Sequence, residues 1–507
     1  MRTLITLLLV AFSSTTFAQS FQWGFPFQIT DETDAKLEHY IVNDKLHRLY
    51  SKYDLSIFNY KVQTDQFSLN ELEQTTTQDI SIKQPVLGAS ALTHVDHFQN
   101  EDGDFTFFSY EIDRKTKENN LYAQNVNITT GERSDKKFVT KMQGKSISNS
   151  GNWKIKQSQN KAYFVAFKEL PFFKKENEKI AMVLLDKDKN VIKEITHTFA
   201  QLDKRNKEHD VFISNNGTIS FIKNIKLKKQ KPFKNFYVWK KDAEAVQEIS
   251  LKLEDNHQIY QYDVTFDTDD NLYFNSLFTH EGSNFFGMKV DITGRHSGIH
   301  SNGLYSMKLD NTGAVVYQNR NDFPNVIPNL SIKDFVFNND TLWMLLDRMH
   351  VIKKSDNSTI GSTGSPTYDY TFQSNGFMIG TINVQNGAIN WSKQINTNER
   401  DTRNDNGDYL SYLYFFKDNN LTLLYNETRD INKGIIHVVF LRRFPIKSVF
   451  STDGEQLSAE AILAAGIGVK KDEPFELNTN MQLQVKEDTY VIRARSGVEY
   501  KYGYMKL

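Results

Sequence analysis

The sequence predicts an all-β chain folded as a single closed β-propeller of eight four-stranded blades, with seven as the alternative count. Three observations predict it. A short polar turn followed at once by a strand-like apolar run recurs eight times along the 507 residues. Seven of those units continue through a third run to a second tight turn and a fourth run. The last unit stops one strand short, while an apolar segment (21–30) stands unused before the first. A repeat of this length means a stack of similar supersecondary units.

Taken in order, Asn43 and Asp44 precede the run 46–50, Asp102 and Gly103 precede 105–110, and Asn160 precedes 162–167. Asn215, Asn216 and Gly217 precede 219–222, and Asp270 and Asn271 precede 272–277. Asn339 and Asp340 lead into 342–346, Asn419 and Asn420 into 421–425, and Glu487 and Asp488 into 490–494. The second turns fall at Thr64–Asp65, Thr130–Gly131, Lys187–Asp188, Lys241–Asp242, Thr312–Gly313, Asn386–Gly387 and Asp453–Gly454. Asn, Asp and Gly recur there because tight hairpin turns need φ > 0. Each unit is thus two hairpins, A–B and C–D. Residues 500–507 supply a third strand to the last unit, and the N-terminal segment is expected to complete it. That pairing removes an edge that otherwise invites association. The count falls to seven if 37–74 is not a true blade. One helix is expected, a short one over 458–465 capped by Ser458 and ended before Gly466.

Residues 1–18 read as a secretory signal peptide, with 19–507 the propeller domain. Arg2 is the basic start, 4–12 the apolar core, and Thr16, Phe17 and Ala18 a small-residue cleavage site. An exported protein, periplasmic or extracellular, is expected, with no membrane span because no later apolar run is long enough. The chain has no cysteine, which excludes disulfides, thiolate nucleophiles and thiolate metal sites. Aromatic residues make up 13% of it, enough to fill a large core without them. A net charge of −1 offers no global field, so nucleic acid is not an expected partner. No cofactor or metal site is expected.

Three of the innermost strands begin alike, at Asp210, Asp263 and Asp334. These acids either form a ligand ring around the central channel or accept backbone N–H bonds from neighbouring chain. The stretch 380–391, with Gly387 shortly before Trp391, resembles the outer-strand signature of the quinoprotein-like (PQQ-type) propeller superfamily. Leu309 to Gly313 and Asn127 to Gly131 echo its first half. The resemblance implies the fold, with the Trp packing between blades. That superfamily holds both quinone-dependent dehydrogenases and non-enzymatic scaffolds, and the vicinal cysteine pair of many of the former is missing here.

In a propeller the B–C and D–A loops share one face, where sites usually sit. The longest B–C loops are 279–302 in unit five and 347–375 in unit six. The first holds His280, Glu281, Asp291, Arg295, His296 and His300, suited to binding or proton transfer. The second joins Arg348, His350, Lys353 and Lys354, through a Ser/Gly tract (355–365), to Tyr368, Tyr370 and Phe372. Unit four's loop carries Lys226, Lys228, Lys229, Lys231 and Lys234 with no acid among them, an anion-contacting patch or a solvated loop. The leading reading is an exported binding or scaffold protein for a macromolecular or anionic ligand, an acidic polysaccharide or a protein. Lys226, Lys228, Lys229, Lys231, Lys234 and Tyr370 are its candidate contacts. The alternative is a lyase on an acidic polysaccharide, with Arg295, His296, His300, Arg348, His350 and Tyr368 as its catalytic candidates.

Overall fold

The polar turns do what their composition predicts. Asn43 and Asp44 both take left-handed φ (49° and 56°), as do Asp418 and Asn419 (50° and 62°), and each pair closes a two-residue hairpin. The computed structural model describes residues 20–27, 38–54, 59–80, 93–204, 207–225, 233–251, 253, 257–280, 289–290, 296–297, 299–360, 366–397, 399–401, 408–431, 440–466, 475–496 and 499–506. The signal peptide predicted for 1–18 lies outside the described residues.

Eight four-stranded antiparallel blades follow in chain order, so the protein is an eight-bladed β-propeller. Their innermost strands, A, are Glu38–Val42, Thr93–Gln99, Asn152–Gln157, His209–Ile213, His257–Phe266, Leu330–Asn338, Tyr412–Lys417 and Glu476–Lys486. The first unit is a complete blade, which settles the count against seven. The ring closes as the missing strand demanded: Ser20–Phe27 lies antiparallel to Glu499–Lys506 and serves as strand D of blade eight.

Three expectations need correction. The predicted helix over 458–465 is strand. Gln456–Ala461 is strand D of blade seven, and Leu463–Gly466 pairs parallel with Ser20–Phe27. Two open sheet edges claim this backbone, and long-range pairing overrides a weak local helix preference. The blade-one turn is not at Thr64 and Asp65. Both lie inside strand C (Asn59–Ser68), where Asp65 pairs with Arg48 on one side and Thr77 on the other. Its carboxylate accepts from Arg48 Nε at 3.0 Å, so a residue that reads as a turn former is a buried ion-pair partner. The chain instead turns at 69–73, with Leu72 at φ 55°. Finally, the blade-six loop is largely not a loop. Strands Thr341–Ile360 and Pro366–Ile382 run on past the blade as a long hairpin, with Val351 opposite Phe372 and Lys353 opposite Tyr370.

The core lies between blades. Blades three and four enclose Phe167, Phe199, Phe221, Tyr237 and Trp239, all nearly inaccessible to solvent. Phe221 and Tyr237 stack at 4.8 Å. Trp391 packs as the resemblance implies: its Nε1 donates to the Thr452 carbonyl of blade seven at 2.7 Å. A Cβ on Gly454 would stand 2.8 Å from that indole, which is why the facing turn carries glycine.

The strand-A acids stitch neighbouring blades together. Asp210 accepts from the Tyr262 hydroxyl of the next blade, and Asp334 from Tyr414 of the next. Asp263 accepts from the Phe335 backbone N–H at 3.1 Å. Burial, then the nearby Asp334 charge, pushes Asp263 from 3.8 up to about 6. A raised carboxyl pKa means the native state holds a proton that the unfolded chain has lost, so this group's contribution falls as pH rises from 3.8 to about 6. Asp263→Asn keeps the acceptor and removes the charge. It is expected to add about 1–2 kcal/mol at pH 8, with the gain fading by pH 4, in urea unfolding at both pH values.

Candidate ligand-binding groove

Strand B of blade three (Tyr163–Glu169) is buried on both faces and ends in two charged residues, Lys168 and Glu169. Their neighbours explain how charge survives there. Glu178 is the second residue of strand C of the same blade (Asn177–Asp186), and His209 and Lys223 are cross-strand partners in blade four. The imidazole of His209, fully buried, sits between two carboxylates. Its Nδ1 is 3.0 Å from Glu169 Oε1 and its Nε2 is 3.0 Å from Glu178 Oε1. Lys154 Nζ approaches Glu169 at 3.2 Å, and Lys223 Nζ approaches Glu178 at 2.5 Å. Phe199 stacks on His209 at 5.8 Å and lies 4.2 Å beneath Lys223 Nζ. Burial alone would raise Glu178, but hydrogen bonding and charge from His209 and Lys223 outweigh it and hold the group at about 2. Glu169 is lowered in the same way against its own burial, by His209 and Lys154. Burial pulls Lys223 down, with Glu178 opposing.

This ionic cluster floors a groove on the long-loop face. One compartment, about 850 Å³, runs from Tyr110 of blade two past the D–A connector 144–151 to Glu169, Phe172, Lys174 and Lys207. The other, about 50 Å³, lies between blades three and four and is lined by Glu178, Gln201, Lys204, Lys207 and Lys223. Lys207 belongs to both and divides them. It is held there by Asp203 at 3.1 Å and by donating to the Leu170 carbonyl. Lys145 and Lys174 are exposed along the first compartment, as are Ile147 and, in the second, Leu202. The second compartment ends at Ile225, the last residue of strand B of blade four and the sequence neighbour of Lys226. Among the described residues no three His, Asp or Glu side chains are placed to hold a metal ion.

The residues singled out from sequence are distributed differently. Lys226, Lys228, Lys229 and Lys231 lie outside the described residues, immediately beyond Ile225. Lys234 is on strand C of blade four, with Nζ 5.2 Å over the Tyr262 ring. Arg295 is also outside the described residues. His296 opens the two-residue strand His296–Ser297, which pairs with Lys289–Val290 and lies beside the blade-six strand Thr341–Ile360. His300 is exposed at the start of strand C of blade five. Arg348 Nη1 donates to Asn396 at 3.1 Å, and burial lowers the half-buried His350. Tyr368 and Tyr370 lie opposite Ser355 and Lys353 on the blade-six hairpin. The loops of blades five and six therefore meet at the backbone level. Sequence reading missed Glu169, Glu178, Lys207, His209 and Lys223. Its only signal for them was the Lys168–Glu169 pair closing an otherwise apolar strand.

No protein-family model matches the sequence, and no curated protein matches it. Solved structures do. BamB from Moraxella catarrhalis is 8% identical, with 96% of this chain and 99% of that one covered and a TM-score of 0.34. The β-propeller domain of the Trilobed protease from Pyrococcus furiosus is 11% identical, with 74% and 98% covered and a TM-score of 0.31. A PL25 ulvan lyase is 9% identical, with 84% and 96% covered and a TM-score of 0.32. The chain spans 59% of an acylaminoacyl peptidase that it also matches. These likenesses carry no argument about activity, and the fold rests on the strand pairing above.

Proposed function

We propose that this chain is an exported binding or scaffold protein that captures an anionic ligand, an acidic polysaccharide before a protein, in the groove of blades two to four. One observation carries the reading: on the long-loop face, Lys145, Lys174, Lys204 and Lys207 follow a groove that ends at Ile225, the residue before Lys226 in sequence. Cations spaced along a partly apolar channel suit a ligand with distributed negative charge. Among the described residues no helix is long and apolar enough to cross a membrane.

The test replaces Lys145, Lys174, Lys226, Lys228, Lys229 and Lys231 together with Gln and measures retention on immobilised polygalacturonate against salt. Exposed cation contacts contribute roughly 0.2–1 kcal/mol each, so affinity is expected to fall at least about tenfold, with a flatter salt dependence. Unchanged retention and salt slope would remove the reading. The second reading, a lyase, draws on the strand His296–Ser297 lying beside the blade-six strand that carries Arg348 and His350, since a histidine lowered by burial is neutral at pH 7 and free to accept a proton. The same polymer incubations decide it. A lyase product is unsaturated and absorbs in the ultraviolet, and a flat trace excludes the activity.

A further inference from the structure

Blade three departs from its neighbours at its tight turns, on the face opposite the groove. The A–B turns of blades two, four and five place Gly103, Gly217 and Asp270 at the left-handed position, and the C–D turns of blades five and seven place Gly313 and Gly454 there. Blade three puts lysine in both turns, Lys161 at φ 59° and Lys189 at φ 64°. That conformation is disfavoured for a residue with a Cβ, so the side chains need another reason to be there. Both line one cavity of about 200 Å³ between the turns of blades two and three. Phe164 and Lys189, 1% and 9% exposed, form its buried end, with Gln157 and Lys161 half-buried beside them. Glu101, Asp102, Lys187 and Asp188 are exposed at its rim. Lys189 Nζ lies 5.8 Å over the Phe164 ring and donates to one neutral acceptor, Asn125 Oδ1, at 3.3 Å. Lys161 Nζ donates to the Asn100 carbonyl at 3.1 Å. Among the described residues neither ammonium forms an ion pair, although three acids line the same cavity. Burial pulls Lys189 down, with the charges of Asp188 and Asp102 opposing. An ammonium carries three N–H donors, so a buried one with a single neutral acceptor is short of partners.

We infer that this cavity is a second binding site, for a small zwitterion of the amino-acid class, its carboxylate inward on Lys189 and Lys161 and its ammonium outward among Glu101, Asp102 and Asp188. The carboxylate supplies the acceptors that the buried lysine lacks. The rim decides what carries it, because three acids repel a polyanion and attract a cation. The site is therefore independent of the groove, with the opposite preference on the opposite face. A basic amino acid fits best, since its second cation meets the remaining rim acids while its carboxylate fills the buried end.

Calorimetric titration of the protein with lysine, glycine, glutamate, acetate and ethylamine tests this. Lysine is expected to bind most tightly and glycine next, with glutamate, acetate and ethylamine each at least about tenfold weaker than lysine. Lys189→Met keeps an apolar stem over Phe164 and is expected to weaken lysine about 10–100-fold, the scale of a lost hydrogen bond to a charged group. Asp102→Asn, at the exposed rim, is expected to weaken lysine about 2–5-fold and to leave acetate unchanged. Acetate or ethylamine binding as tightly as lysine would overturn the inference, because one charge would then suffice. Glutamate binding more tightly than lysine would overturn it through the rim. The order of ligands in the parent protein decides these points without any variant. If none of the five binds, or if lysine binds Lys189→Met as well as the parent, the cavity is not the site.

Discussion

His209→Leu is expected to destabilise the protein by about 3–5 kcal/mol, with the loss visible in urea unfolding followed by far-ultraviolet circular dichroism. The imidazole is fully buried, and Glu169 and Glu178 are 4% exposed on either side of it. Leucine fills much of its volume against Phe167 and Phe199 but leaves the Glu169 and Glu178 carboxylates facing each other without the two ring nitrogens that now stand between them. The loss is therefore electrostatic, and that has a signature. Adding Glu169→Gln and Glu178→Gln to His209→Leu removes the unpaired charge and is expected to recover most of the stability, a coupling that independent sites do not show. A His209→Leu protein within 1 kcal/mol of the parent, or a triple variant weaker than the single one, would mean that the histidine does not hold the cluster together.

That cluster shows where sequence reading stops. The turns were legible because their cause is local: Asn43, Asp44, Gly103, Gly217 and Gly454 adopt positive φ, and few other residues do so readily. Ring closure was legible because a missing strand and a spare one are both visible in one chain. The groove was not. Glu169 and His209 are 40 residues apart and meet only because blades three and four pack face to face. Each charge alone at a strand end reads as solvated. The blade-six hairpin was hidden for the opposite reason, since its polar and Gly-rich stretch has loop composition while cross-strand partners such as Ile352 and Thr371 carry the pairing. Gln456–Ala461 misled similarly: an alanine-containing stretch favours helix locally, yet the strand edge of Phe440–Phe450 was waiting for it. Local rules set turns and strands, and packing between blades set the site.

Gly24→Val is expected to open the ring. Gly24 is buried in the closing strand Ser20–Phe27, beside the C–D turn of blade one. A Cβ there would stand 2.5 Å from Leu72 Cβ and 2.8 Å from the Glu71 carbonyl oxygen. Neither neighbour yields easily. Leu72 is 1% exposed and held at φ 55° by its turn, whose backbone N–H donates to Ser68 at 2.9 Å. The strand must move, and with it the pairing to Glu499–Lys506 on one side and Leu463–Gly466 on the other. Overpacking of this kind costs about 1–3 kcal/mol, and released strand edges add a second effect. Unpaired edges template association, so the variant is expected to sediment as concentration-dependent oligomers as well as to melt earlier. Deleting 1–27 should reproduce the association without the steric clash, since both routes expose the same edges. A Gly24→Val chain that stays monomeric and melts with the parent would show that the final blade holds its shape without the N-terminal strand.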